Sequence, residues 1–129
     1  MKLSYLKVIG STIGGFIVAY LGGWDILLKS LCLLMILDFV TRFISNIYNQ
    51  KKLSSELCFR GICKKVQMFL YIMLSVIVQH ITGDSIPLRD IVVIFYIVNE
   101  ALSVLENGGE VVPYPDKLKQ VIEDLQGES

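Results

Sequence analysis

The stretch "LLMILDFVTRFIS", Leu33 to Ser45, places an acid and a base in the middle of a strongly apolar segment. Asp38 and Arg42 lie four residues apart, acid first, which is the favoured order for an ion pair along one helix face. In a bilayer, an ionised side chain near the midplane costs roughly 2.5–3.5 kcal/mol on insertion scales. We therefore expect Asp38 and Arg42 to point away from lipid and to pair with each other.

The composition indicates why a bilayer is the relevant solvent. The chain has 129 residues, of which 53% are hydrophobic and 19% are charged, and its mean hydropathy is +0.60. Soluble domains are about 45–50% apolar and about 25% charged. The apolar residues form continuous runs without the period-two alternation of barrel strands. This pattern predicts an all-α membrane protein with a single domain over residues 1–129.

Four apolar segments are candidates for membrane spans, at about residues 6–23, 26–48, 66–81 and 88–105, followed by a tail over 107–129. A helix needs about 20 apolar residues to cross the hydrocarbon core, so the shorter segments leave three spans as the alternative. The first segment also resembles a signal peptide, but we expect it to be retained. Gly83 and Pro87, in the turn "GDSIPLRD", predict a helical hairpin between segments three and four.

The basic residues between segments two and three predict the orientation. Five cations stand against the single acid Glu56: Lys51, Lys52, Arg60, Lys64 and Lys65. Loops rich in lysine and arginine stay in the cytoplasm, so this loop is predicted to be cytoplasmic. With four spans, both termini are then cytoplasmic as well. The zero net charge gives no basic field for nucleic acid, and we expect no such partner.

Segment one carries small residues that are suited to close helix packing. They are Gly10, Ser11, Gly14, Gly15, Ala19 and Gly23. Four of these, at positions 11, 15, 19 and 23, are spaced four apart and form one smooth ridge along a helix. Such ridges let membrane helices approach closely. The pattern leaves open whether the ridge packs within the chain or between subunits.

Segment four carries a set of polar residues that could contact Asp38 and Arg42. Its members are Asn99, Glu100, Ser103, Glu106 and Asn107. Two polar stripes in a small helical membrane protein are expected to face each other or a shared wet cavity. Three roles stay open: a buried network that fixes helix register, the lining of a pore after assembly, and an ion-coupled transport relay.

The remaining features concern the C-terminal tail and the absence of catalytic or metal-binding motifs. The tail residues Leu118, Val121, Ile122 and Leu125 fall on one helical stripe, which predicts a short amphipathic helix. That helix is expected to lie on the inner membrane surface or on a neighbouring subunit. His80 has no nearby nucleophile or metal-ligand partner, and no phosphate loop or nucleophile elbow is present. We expect no catalytic residue, no metal and no cofactor.

Three stretches together resemble a known family. They are "GGWDILLKSLCLLMILDFVT" (22–41), "LSSELCFRGICKK" (53–65) and "NEALSVLENGGEVVPYPDKLK" (99–119). In this order they resemble the phage holins, a family that includes the toxin-secretion holins of clostridia. The similarity extends from about Gly22 to Leu125, almost the whole chain after segment one.

The resemblance implies a small multi-pass protein of a bacterial cytoplasmic membrane, which forms homo-oligomers in lipid and opens lesions. Its functional partner would be an endolysin or a large exported toxin. The alternative is a small helical transporter or channel subunit. Two departures from the family pattern matter. Arg42, and the pair Val111 and Val112, stand where the family usually has glycine, so the resemblance does not carry the Asp38–Arg42 pair over as a family site.

Overall fold

The computed structural model describes residues 2–126, and this part of the chain is helical without any strand. The all-α class is therefore confirmed. The helices are α1 (Lys2–Tyr20), α2 (Ile26–Tyr48), α3 (Ser55–Ile81), α4 (Leu88–Gly109) and α5 (Asp116–Asp124). The second predicted segment matches α2, whereas α4 continues four residues beyond its predicted end.

The predicted number of spans, about four, is not confirmed. Two of the helices, α1 and α3, are long and apolar enough to cross a membrane by length and composition. The charged residues of α3 are confined to positions 56–65, but those of α2 and α4 are spread along the helix. The buried charges of α2 and α4, Asp38, Arg89 and Glu100, lie where the helices meet, as described below.

The basic stretch before segment three is largely helix, which corrects the prediction of a loop over 49–65. Ser54 caps the helix, because its hydroxyl accepts a hydrogen bond from the Leu57 N–H at 3.4 Å. One turn later Arg60 donates to Glu56 at 3.0 Å along the exposed face. The local signals for a helix thus begin eleven residues before the apolar run. Lys64 and Lys65 lie on α3, not in a loop.

Helix α4 is the centre of a three-helix bundle, packed between α2 and α3. Its Val93 and Val98 are fully buried, as are Leu28 and Leu31 of α2 and Ile72 of α3. The predicted hairpin of segments three and four is present as α3 and α4, joined by a turn in which Gly83 and Asp84 have positive φ. This arrangement brings the polar stripe of α4 against α2.

The outer surface of the bundle is apolar and its interior contains charge. Ile36, Phe39 and Phe43 of α2 are all exposed, while Asp38 on the same helix is 3% exposed and Glu100 of α4 is 5% exposed. A protein in water shows the reverse pattern, because charged side chains are almost never fully buried unless paired. Together with the apolar helices, this distribution indicates a protein of the membrane.

The first and last helices stand outside the bundle core. No residue of α1 is buried, and the helix joins the bundle through the turn at Leu21, which is buried. The predicted tail helix is observed as α5, which packs against α4 after Pro115. Of its predicted apolar stripe, Ile122 is half-buried and the other members are exposed. The tail therefore begins after Gly109, not at 107.

Candidate functional site

Lys65 of α3 joins two buried carboxylates from two other helices. Its Nζ lies 3.0 Å from Oδ2 of Asp38 on α2 and 2.8 Å from Oε1 of Glu100 on α4. The two carboxylate side chains are almost fully buried, and the Lys65 side chain is one-quarter exposed. One ammonium group therefore connects all three helices of the bundle.

Asn107 completes the shell around Asp38. Its Nδ2 donates to the second carboxylate oxygen, Oδ1, at 2.8 Å and to the Asp38 backbone carbonyl at 3.1 Å. It also lies 3.2 Å from the Thr41 hydroxyl. Each oxygen of the Asp38 carboxylate thus has a donor, one charged and one neutral. We call Asp38, Lys65, Glu100 and Asn107 the charge cluster.

Arg42 is not the main partner of Asp38, which corrects the sequence-based interpretation. Its Nη2 lies 3.7 Å from Asp38 Oδ1, beyond hydrogen-bond distance, and its side chain is 54% exposed. The nearer cation is Lys65, 27 residues away in sequence. The sequence predicts for Lys65 only a role in the orientation, as one of the basic residues between segments two and three. It gives no direct signal for which distant cation reaches a buried acid.

The structure separates the predicted polar set of segment four. Glu100 and Asn107 belong to the charge cluster. Asn99 and Glu106 are exposed, since they lie on other faces of α4. Ser103 is half-buried and makes no side-chain hydrogen bond to the cluster within the described chain. The predicted stripe thus contributes two of its five members.

A second polar contact lies at the opposite end of the bundle. Arg89, at the start of α4, is 5% exposed. Its Nη1 lies 2.6 Å from Asp25 Oδ2, its Nη2 lies 3.1 Å from Asp25 Oδ1, and its Nε donates to the Leu21 carbonyl at 2.8 Å. Such two-pronged arginine–carboxylate pairs are strong and directional. Arg89 therefore ties the α1–α2 turn to α4.

Glycine is required in that turn by the arginine itself. Gly22 has a φ of +91°, and a Cβ built on it would lie 2.7 Å from Arg89 Nε. Asp25 also caps α2 by accepting a hydrogen bond from the Leu28 N–H at 3.0 Å. The hydrogen bond from Arg89 holds the pKa of the Asp25 carboxyl below its ordinary value, so this acid is ionised at neutral pH. We call Arg89, Asp25 and Gly22 the turn clamp.

The third inter-helix polar contact joins the end of α2 to the end of α4. Ser45 donates to Glu110 Oε2, and Asn49 Nδ2 lies 3.1 Å from the same oxygen. Ser45 is buried although it is polar. The sequence does not predict Glu110 as a site residue, because it follows the apolar run, where a charged side chain is expected to be solvated.

The small residues of α1 are brought to no site within the described part of the chain. A Cβ built on Gly10, Gly14 or Gly15 would meet nothing within 4 Å, and Ser11 and Ala19 are exposed. Gly23, the fourth member of the predicted ridge, lies beyond the end of α1 in the turn, where its carbonyl accepts a hydrogen bond from Arg89 at 3.2 Å. The part of the ridge on α1 thus makes no close packing contact with the bundle. Of the predicted basic set, Lys51, Lys52, Arg60 and Lys64 are exposed, so Lys65 alone enters the interior.

Over residues 2–126 the structure contains no group of three or more histidine, cysteine or acidic residues that could hold a metal ion. Cys32, Cys58 and Cys63 are free thiols, the last two exposed. The charge cluster contains no hydroxyl, thiol or imidazole that could act as a nucleophile. Its chemistry is that of fixed charges that hold three helices together.

Comparison with known proteins identifies the family. The model of the bacteriophage holin family matches residues 15–127, which include α2 to α5 and the last six residues of α1. The chain belongs to the bacteriophage holin family. The resemblance seen in the sequence is therefore confirmed, and the match includes every residue of the charge cluster and the turn clamp.

Relatives of this holin-family chain come from Clostridium, Listeria and Halalkalibacterium species. It is 32% identical over 125 residues to an uncharacterized 14.9 kDa protein in the nagH 3′ region of Clostridium perfringens, covering 95% of this chain and 94% of that one. It is 33% identical over 110 residues to an uncharacterized protein of Listeria monocytogenes, covering 84% and 78%. A protein of Halalkalibacterium halodurans, also uncharacterized, is 31% identical over 113 residues, with 83% of each covered. No solved structure gives a significant match.

Proposed function

We propose that this chain is a holin: it accumulates in a bacterial cytoplasmic membrane, assembles into homo-oligomers and opens lesions. These lesions release an endolysin or export a large toxin, and the chain itself catalyses no reaction. Membership of the bacteriophage holin family supports this role. So does the bundle, whose outside suits lipid and whose inside carries charge.

The observation that carries the proposal is the Lys65 contact with Asp38 and Glu100. Three ionisable groups in a low-dielectric interior are stable only while they remain mutually paired. Separation of α3 from α2 and α4 would strand all three, unless water entered at the same moment. The charge cluster thus favours two states, a closed dry bundle and an opened wet one. A lesion-forming protein that must stay silent and then open abruptly needs such a pair of states.

The positions of the polar contacts support four spans with both termini in the cytoplasm. Asp25 and Arg42 are 17 residues apart along α2, about 26 Å at 1.5 Å per residue. The hydrocarbon core is about 30 Å thick. The turn clamp and Arg42 would then lie near the two opposite interfaces. The basic start of α3 would be on the cytoplasmic side, as the positive-inside rule requires.

The exposed ridge of α1 supplies a surface for assembly. Ser11, Gly15 and Ala19 pack against no helix of the bundle, and small residues at this spacing drive helix association in membranes. The sequence left open whether the ridge serves one chain or two. Since α1 has no buried residue, we propose that it packs between subunits.

The second candidate is a small transporter or channel subunit with a fixed polar path. It is favoured by the polar groups buried along the bundle, from Arg89 at one end through Glu100 to Ser45 near the other. Such a protein would pass a small solute at low expression and leave the cell alive. A holin would be tolerated at first and would then permit the passage of folded protein.

Timed lysis distinguishes the two candidates. The chain is induced in a bacterium that also produces a cytoplasmic endolysin, and culture density is followed with time. A holin gives a delay and then abrupt lysis that requires both proteins. A transporter gives no lysis, or slow growth arrest that is independent of the endolysin, and this result would overturn the proposal.

A further inference from the structure

A groove between α2 and the first half of α3 has no occupant within the described chain. Its volume is about 540 Å³, within the range of ligand sites. Its walls are apolar, formed by Ile36, Phe39 and Phe43 on α2 and by Leu57 and Ile62 on α3. All five side chains are exposed. The groove exists because α3 begins eleven residues before its apolar run and stands away from α2.

One cation lines the groove with its donors unused. Arg42 makes no hydrogen bond to any residue from 2 to 126, and Asp38 Oδ1, 3.7 Å away, already accepts from Asn107. Lys65 also lines the groove and remains one-quarter exposed. The charged residues of the lining are therefore two cations and one carboxylate, and that carboxylate is satisfied by the charge cluster. An anionic group could bind Arg42 without breaking a contact.

We propose that this groove binds one anionic phospholipid, with its phosphate on Arg42 and an acyl chain between α2 and α3. The depth argument supports a lipid over other occupants, because Arg42 lies about 26 Å along α2 from Asp25, near the inner headgroup level. Basic pockets between helices on the cytoplasmic side are typical sites for anionic headgroups. The apolar walls fit a hydrocarbon chain and the arginine fits a phosphate.

The proposal rests on the proposed topology, which places Arg42 near the inner interface, but it does not require that the chain forms lesions, so the two can fail separately. Bound lipid would fill the gap beside the charge cluster and favour the closed bundle. The lipid composition of the host membrane would thereby influence the trigger.

Two native cysteines provide a matched pair of probes. Cys58 lines the groove, whereas Cys63, five residues later on α3, is exposed but outside the lining. Five residues turn a helix by about 140°, so the two thiols point in different directions. Each is kept as the single cysteine of the full chain, labelled with an environment-sensitive fluorophore and reconstituted in phosphatidylcholine vesicles. Quenching is then measured with brominated phosphatidylglycerol or with brominated phosphatidylcholine at equal mole fraction.

At Cys58 we expect phosphatidylglycerol to quench more effectively, by roughly five-fold at low lipid fraction for one headgroup contact. At Cys63 the two lipids should quench equally. Arg42→Gln should remove the preference at Cys58, while Arg42→Lys should keep part of it and Arg60→Gln, outside the groove, should keep all of it. Continued quenching of Arg42→Gln by brominated phosphatidylcholine would show that the groove is still formed.

Two results would overturn the proposal. Equal quenching by both lipids at Cys58 of the unchanged chain would mean that no headgroup is recognised. Absence of quenching at Cys58, together with efficient Cys58–Cys58 cross-linking, would mean that a second copy of the chain covers the groove.

Discussion

Lys65 Nζ stands between Asp38 Oδ2 and Glu100 Oε1, at 3.0 and 2.8 Å, and so joins three helices through one side chain. Removing it would strand two buried carboxylates, whereas removing one carboxylate leaves the ammonium paired with the other. Loss of Lys65 should therefore destabilise the bundle more than loss of either carboxylate. This difference allows a direct test of the charge cluster.

We expect Lys65→Met to reduce accumulation in the membrane severely or to advance lysis, because breaking a buried ion pair costs about 3–5 kcal/mol. Glu100→Gln should be much milder, since the Lys65–Asp38 contact remains. Combining Lys65→Met with Glu100→Gln should restore part of the loss. Membrane protein level and lysis time measure all three variants.

Lys64→Met is the matched control for the charge cluster, because Lys64 is the exposed neighbour on α3. Arg42→Leu should also have a small effect on accumulation, given its exposure and its 3.7 Å distance from Asp38. Strictly additive losses in the Lys65 and Glu100 pair would contradict the idea of a coupled cluster.

The orientation can be tested with the native thiols. Cys58 and Cys63 are exposed near the basic start of α3, so with that end in the cytoplasm they should resist an impermeant thiol reagent in intact cells. Both should react in inside-out vesicles. A cysteine placed at Ser85, in the α3–α4 turn, should show the opposite pattern. Labelling of Cys58 from outside intact cells would exclude the proposed topology.

The ridge of α1 should need small side chains if it packs between subunits. Gly15→Leu would hold two helix backbones apart and should reduce cross-linked oligomers and delay lysis. Since a Cβ at Gly15 meets nothing within 4 Å in the single chain, the monomer should still fold and accumulate. Ile13→Leu, off the ridge on the same helix, serves as the control. Unchanged oligomers in Gly15→Leu would assign α1 no role in assembly.

Because of the turn clamp, substitution of Gly22 should disturb the structure more than substitution of Gly23. Both Gly22 and Gly23 have positive φ, but a Cβ at Gly22 would lie 2.7 Å from Arg89 Nε, and one at Gly23 meets nothing within 4 Å. Gly22→Ala should therefore release the Arg89–Asp25 contact, while Gly23→Ala should cause backbone strain alone. The emission of Trp24, the single tryptophan, reports the change. Equal spectra for the two variants would contradict the clamp.

Acid should open the same clamp. The pKa of Asp25 is lowered by its hydrogen bond from Arg89, so its contribution to stability is present above its ordinary pKa of 3.8 and is lost as pH falls through the lowered value. The Trp24 signal should stay constant from neutral pH to about pH 5. It should change only in strong acid, and Asp25→Asn should show the changed signal at all pH values.

Local sequence signals were sufficient to predict most of the helices and their suitability for a membrane. The boundaries of α2 are local properties: Asp25 caps the first turn, and an unbroken apolar run follows. The prediction failed at the start of α3, where the charged residues suggested a loop but Ser54 and the Glu56–Arg60 pair favour a helix. Whether α2 and α4 span the membrane stays a prediction, since their charges obscure the hydropathy that defines a span.

The packing of the helices against one another selects which charges meet. Asp38 and Arg42 share a helix face in sequence, yet the cation that reaches Asp38 is Lys65, because the packing of α3 and α2 against α4 sets the rotation and axial position of each helix. Arg89 likewise pairs with Asp25, which lies 64 residues away in the sequence. Helical periodicity identifies which residues share a face of one helix. It carries no information on which face of another helix will lie opposite, since that depends on the close packing of the whole core.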